Sequence, residues 1–102
     1  MAKKSTTYSK EGIKGLPNNK PVVYKIETMA GNPNYLGSAK RGRVRERIEE
    51  HLGQIPGKKV HIETFSSIRE AQKKESNDIK RLQPKYNKKG KWSRLTYFII
   101  YL

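Results

Sequence analysis

Glu75 is the side chain hardest to explain as packing alone. A helix through it places Ile68, Ala71, Ile79 and Leu82 on one apolar stripe, and Glu75 falls inside that stripe. A carboxylate turned toward a core is disfavoured by desolvation unless it is paired or holds a cation. Two explanations stand: an ion pair with a core-edge cation such as Arg47, or a divalent cation bound at the sheet. Arg47 and His51 are four residues apart in an Arg-rich segment with helical spacing, so both lie on one side of that helix. A guanidinium fixed beside a buried edge can fork onto phosphate oxygens, and an imidazole there can relay a proton or simply close the core. Tyr24 and Tyr35 lie in short runs rich in Val, Ile and Tyr. A strand tyrosine is either an aromatic filler whose hydroxyl finds one partner or a proton-handling group.

These side chains need a sheet and helices to bring them together. Lys20–Ile26 alternates as a half-buried strand, with Val22, Tyr24 and Ile26 on one face and Val23 and Lys25 on the other. Met29–Pro33 carries turn chemistry, and Tyr35-Leu36-Gly37 reads as a short second strand, so Tyr24 and Tyr35 share an antiparallel hairpin. A helix is expected from Arg43 to Leu52, stopped by Gly53, with Val44, Ile48 and Leu52 inward. Lys59–Phe65 alternates again as a third strand, in which His61 is given no chemistry. Ser67 and Glu70 form a capping-box pattern that opens a second helix, Ile68–Leu82, ended by Pro84. Asn87 follows, able to bond backbone and to hold its loop near Glu75. Trp92 and Tyr86 could stack on bases or cover the core. The expected fold is α+β: a small central antiparallel three-stranded sheet flanked by helices. Residues 1–19 are expected to be a basic flexible arm and 20–92 the folded domain. Residues 93–102, with the β-rich run Leu95–Leu102, are expected to add a C-terminal strand.

The charge narrows the partners. The sequence of 102 residues carries a net charge of +14 at pH 7, a field that attracts polyanions, nucleic acid first. Lys40, Arg41, Arg43, Arg45, Lys85 and Lys88 are candidate phosphate contacts, although Glu46, Glu49 and Glu50 neutralise part of the arginine run. Cysteine is absent, which excludes disulfides, thiol catalysis and cysteine zinc sites. His51 and His61 are the only histidines, which excludes a His-rich metal centre. The apolar run Tyr97–Leu102 is too short to span a bilayer. A cytoplasmic location is the expectation, with no membrane partner and no small-molecule cofactor.

In this order and spacing, the motifs resemble the GIY-YIG nuclease family. Tyr35-Leu36-Gly37 matches the second half of the family's name, Val22-Val23-Tyr24 keeps only the tyrosine of the first, and Ser38-Ala39-Lys40 follows as in the family. Arg47 and His51 match its helix, and Glu75 and Asn87 fall where it has its metal-binding Glu and a late Asn. The resemblance spans roughly residues 20–90. It implies a metal-dependent DNA endonuclease using Mg²⁺ or another divalent ion such as Mn²⁺, held by Glu75. Within it, Arg47 neutralises phosphate charge, Tyr24 acts as general base, Tyr35 orients water or phosphate, His51 relays a proton and Asn87 orders the site. Two departures matter. The lost Gly and Ile of the first motif make a non-catalytic nucleic-acid-binding module on the same scaffold a second reading. The longer connection after Gly37 makes Arg45 a rival to Arg47. A basic structural or ribosome-associated protein that prefers RNA is a third reading.

Overall fold

A computed structural model describes residues 3–87. Four strands, β1 (Lys3–Thr7), β2 (Val22–Glu27), β3 (Pro33–Ala39) and β4 (Lys59–Thr64), form one antiparallel sheet in the order β1-β4-β2-β3. Three helices accompany them: α1 (Lys10–Lys14), α2 (Val44–Glu49) and α3 (Ile68–Leu82).

The alternation along each strand divides the core into two layers. Val22, Tyr24 and Ile26 of β2 pack with Val60 and Ile62 of β4 and Ala39 of β3, and that face is covered by Ile13, Leu16, Val44 and Ile48 from the α1 and α2 side. The opposite face buries Val23, Leu36 and Phe65 against Ala71 and Ile79 of α3. Each fully buried aliphatic side chain contributes about 1.5–3 kcal/mol by leaving water. The β2–β3 pairing sets Tyr24 opposite Gly37 and Ile26 opposite Tyr35, so the two tyrosines are diagonal neighbours on the α2 face.

The α+β class, the central hairpin, the third expected strand and the span of α3 all appear in the structure. Ser67 caps α3 by accepting from the Glu70 N–H at 3.2 Å. The return bond of a capping box is replaced by one from the Ser66 hydroxyl to Glu70 Oε1 at 2.5 Å. The helix closes on Gln83, whose φ of 48° is left-handed, directly before the buried Pro84.

The N-terminal expectation is corrected. Residues 3–14 are not a flexible arm. Lys3–Thr7 pairs along β4, making the sheet four-stranded, and Ser9 caps α1 by accepting from the Gly12 N–H at 3.1 Å. β1 lacks an alternating apolar pattern because it is an edge strand with mostly exposed side chains, so backbone pairing holds it. Ile13 and Leu16 then pin α1 to the core at zero exposure. The first expected helix is also shorter. Arg43 is its N-cap, regular helix ends at Glu49, and His51 and Leu52 lie in the turns before Gly53, whose φ is 88°. Lys88, Trp92 and the expected strand Leu95–Leu102 lie outside the described residues.

Candidate active site

Among the described residues β3 is an edge strand, and the candidate site wraps around its outer side. A cavity of about 350 Å³ is lined there by Tyr35, Ser38, Lys40, Arg43, Arg47 and Glu75, with Gly37, Ala39, Ile68 and Gln72 completing the wall. Because side chains alternate along a strand, Tyr35 reaches the cavity from the α2 face and Ser38 from the α3 face. No central strand could offer both faces to one hollow. α3 brings Glu75 to the Ser38 side, where the Ser38 hydroxyl donates to Glu75 Oε1 at 2.7 Å. α2 brings Arg47, exposed, to the other side. Of the two rival arginines, Arg47 lines the cavity, whereas Arg45 turns away and donates from Nε to the Leu16 carbonyl at 2.8 Å.

Tyr24, the general base that the resemblance implies, does not open onto the cavity beside Tyr35. Its side chain is completely buried and its hydroxyl meets His51 Nε2 at 2.8 Å. The ring lies across Gly37, where an added Cβ would stand 2.5 Å from the Tyr24 hydroxyl oxygen. Gly37 is therefore required by space, and it is a thin wall between the buried phenol and the cavity. Tyr24, Tyr35 and His51 form a three-ring cluster, with ring centroids 6.2 Å apart for the tyrosines and 4.5 Å apart for Tyr35 and His51.

The electrostatics follow from this burial. Desolvation pushes the Tyr24 phenol well above the usual range; Tyr35 and Glu75 push the same way and Arg47 opposes them. Tyr35 is raised by burial and by Glu75, again against Arg47. Both phenols are therefore protonated at neutral pH. His51 is lowered by burial first and by Arg47 second, with Glu50 opposing, so it is neutral at pH 7. The neutral ring shares one hydrogen bond with the Tyr24 hydroxyl through Nε2.

Asn87 acts at a distance from the cavity. Its side-chain Oδ1 accepts from the Leu36 N–H at 2.7 Å and its Nδ2 donates to the Leu36 carbonyl at 2.8 Å. It thus closes the free edge of β3 two residues before Ser38, rather than holding its loop against Glu75. The basic candidates separate. Lys40 and Arg43 line the cavity, and Arg43 also pairs with Glu46. Arg41 borders a different hollow beside Lys20 and Phe65. Lys85 is exposed, 5.6 Å from the Tyr86 ring centroid. His61 bonds the buried Glu27 carboxylate at 2.7 Å on the other side of the sheet from Tyr24. The sequence reading missed Ser38 and Gln72 as site residues. For Gln72 the signal was present, since it precedes Glu75 by three positions on one helix. For Ser38 it was the Ser38-Ala39-Lys40 run that follows Gly37.

Among the described residues no group of three or more His, Asp or Glu side chains is placed to hold a metal between them. Glu75 does fit one hard divalent cation: it offers carboxylate oxygen, and such ions retain water and share phosphate oxygens rather than needing an all-protein cage. Among the described residues no helix is long and apolar enough to cross a membrane.

The four-stranded antiparallel sheet with its flanking helices is a GIY-YIG-like α+β fold. The comparison with solved structures agrees. The chain matches the crystal structure of the GIY-YIG N-terminal endonuclease domain of UvrC from Thermotoga maritima bound to its catalytic divalent cation, magnesium. The identity is 28%, the TM-score is 0.61, and the match covers 76% of this chain and 92% of that one. A point mutant of the same domain, also bound to its catalytic divalent cation, matches at 27% identity and a TM-score of 0.61, with the same coverage. No model of a protein family matches the sequence, and neither does a curated protein.

Proposed function

We propose that the protein is a divalent-metal-dependent endonuclease that hydrolyses DNA phosphodiester bonds at the β3 edge. What supports this reading above all is that Glu75 and Arg47 line one cavity without forming an ion pair with each other. An acid and a cation left facing the same hollow are suited to a ligand carrying both a metal ion and a phosphate. The magnesium-bound domain it resembles points the same way.

A divalent cation at Glu75 would supply Lewis-acid neutralisation of phosphate charge. The chain's own groups do the rest. Arg47 forks onto non-bridging oxygens and stabilises the charge that builds up during attack. Lys40 and Arg43 hold neighbouring phosphates. Tyr35, protonated and facing the cavity, donates to the attacking water or to phosphate oxygen and so orients it. Tyr24, enclosed behind Gly37, acts from within the core: its hydroxyl bonds His51 Nε2 at 2.8 Å and so fixes the imidazole against Tyr35.

The test is nicking of supercoiled plasmid with Mg²⁺, comparing wild type with Glu75→Ala and Arg47→Ala. Each variant should lose at least two orders of magnitude in rate, as expected when an electrostatic stabiliser is removed. Equal cleavage by all three proteins refutes the assignment. The second reading, a binding module without cleavage, draws on the full burial of Tyr24. It predicts salt-sensitive DNA binding with no nicking under any divalent metal.

A further inference from the structure

We propose that Ser38 is a positioning residue that holds the Glu75 carboxylate off Arg47, so that both charges stay turned toward the ligand. This rests on the metal-dependent reading above. Glu75 sits on the inward side of α3, half-buried, where an acid seeks a partner. The obvious partner is Arg47, which lines the same cavity and would neutralise it. No ion pair joins them. Glu75 Oε1 instead accepts from the neutral Ser38 hydroxyl at 2.7 Å, a bond to an ionised acceptor and hence a strong one. A neutral donor fixes the carboxylate without cancelling its charge, which a cation would do. The second carboxylate oxygen is left for the ligand.

Ser38 is itself well anchored. Asn87 clamps both backbone groups of Leu36, and the buried Tyr24 ring packs on Gly37, so the strand on the N-terminal side of Ser38 is fixed by two separate contacts. By strand alternation Ser38 has the same orientation as Leu36, and its side chain lies on the α3 face. A serine at any neighbouring position of β3 would point to the α2 face and miss Glu75.

The experiment uses the isosteric pair Ser38→Thr, which keeps the hydroxyl, and Ser38→Val, which removes it; both are strand formers. Mn²⁺ affinity of the full chain is measured by electron paramagnetic resonance, with thermal melts as a folding control. Thr should bind Mn²⁺ within about twofold of wild type and Val at least about tenfold more weakly, the size expected for a hydrogen bond to a charged group. Adding Arg47→Gln should restore more affinity in the Val background than it adds in wild type, because only there has Glu75 swung onto the guanidinium. Equal Mn²⁺ affinities for Thr and Val, or equal gains from Arg47→Gln in both backgrounds, would overturn the role of Ser38. A wild-type protein that binds no Mn²⁺ would overturn this role and the metal-dependent reading together, whereas Mn²⁺ binding that ignores Ser38 leaves that reading standing.

Discussion

Replacing Gly37 by alanine should be among the most damaging single-methyl additions in this fold. The ideal Cβ would lie 2.5 Å from the Tyr24 hydroxyl oxygen, 2.6 Å from Cζ and 3.1 Å from Cε1. These are carbon and oxygen atoms of a ring with zero exposure, tied to His51 at 2.8 Å. The ring cannot swing outward, so either β3 moves off β2 or Tyr24 leaves His51. Overpacking of this kind costs about 1–3 kcal/mol. Breaking the buried hydroxyl–imidazole bond adds about 1 kcal/mol or more. A total of about 2–4 kcal/mol corresponds to a fall in Tm of roughly 10–25 °C for a domain of this size. Urea denaturation followed by circular dichroism gives the free energy directly. The cause is isolated by a cycle with Tyr24. In a Tyr24→Phe background the clash with Cζ remains, so Gly37→Ala should still be costly. In a Tyr24→Leu background the ring tip is gone and the alanine should cost under about 0.5 kcal/mol, since alanine is otherwise favoured over glycine within a strand. A Gly37→Ala protein within about 0.5 kcal/mol of wild type, or a cost unchanged by Tyr24→Leu, would refute the claim that space beneath the ring demands this glycine.

Three further outcomes are expected. Asn87→Ala should cost about 2–4 kcal/mol, because it leaves two buried backbone groups of Leu36 without partners; fast hydrogen exchange of the Leu36 amide would report it, and an exchange rate like wild type would count against the clamp. His51 is held neutral in the fold below its ordinary pKa, so its contribution to stability is complete above about pH 6.5 and is lost as pH falls through the lower folded value. Tm should therefore decline on acidification, with a shallower decline in His51→Gln. Ser67→Ala should cost about 1 kcal/mol through loss of the α3 cap, while the nicking rate per folded molecule stays unchanged; a large catalytic loss would mean that α3 places Glu75 less rigidly than its packing indicates.

Much of the frame was legible because it is written in local chemistry. β2, β4 and α3 each carry a sustained alternating or helical pattern, and Ser67 and Pro84 mark the ends of α3 within a residue or two. β1 and α1 were not legible. Lys3–Thr7 has no apolar alternation to betray a strand, and five residues of helix with Gly12 in the middle give no measurable period. They form because β4 has a free edge to pair with and because Ile13 and Leu16 find a covered place in the core.

For the site, the sequence alone determined the cast: an acid on the inward stripe of a helix, a cation and an imidazole four residues apart on another, and two strand tyrosines. Those follow from periodicity, which is a property of neighbouring residues. Tertiary structure alone decided which of them meet the cavity. It buried Tyr24 behind Gly37 and left Tyr35 at the opening, set Arg47 at the cavity and turned Arg45 away, and joined Ser38 to Glu75 and Asn87 to Leu36 across long stretches of chain. The reason is that, among the described residues, β3 is an edge strand. Which strand lies at the edge depends on the pairing of all four, and only an edge lets side chains from both faces of a sheet close on one ligand.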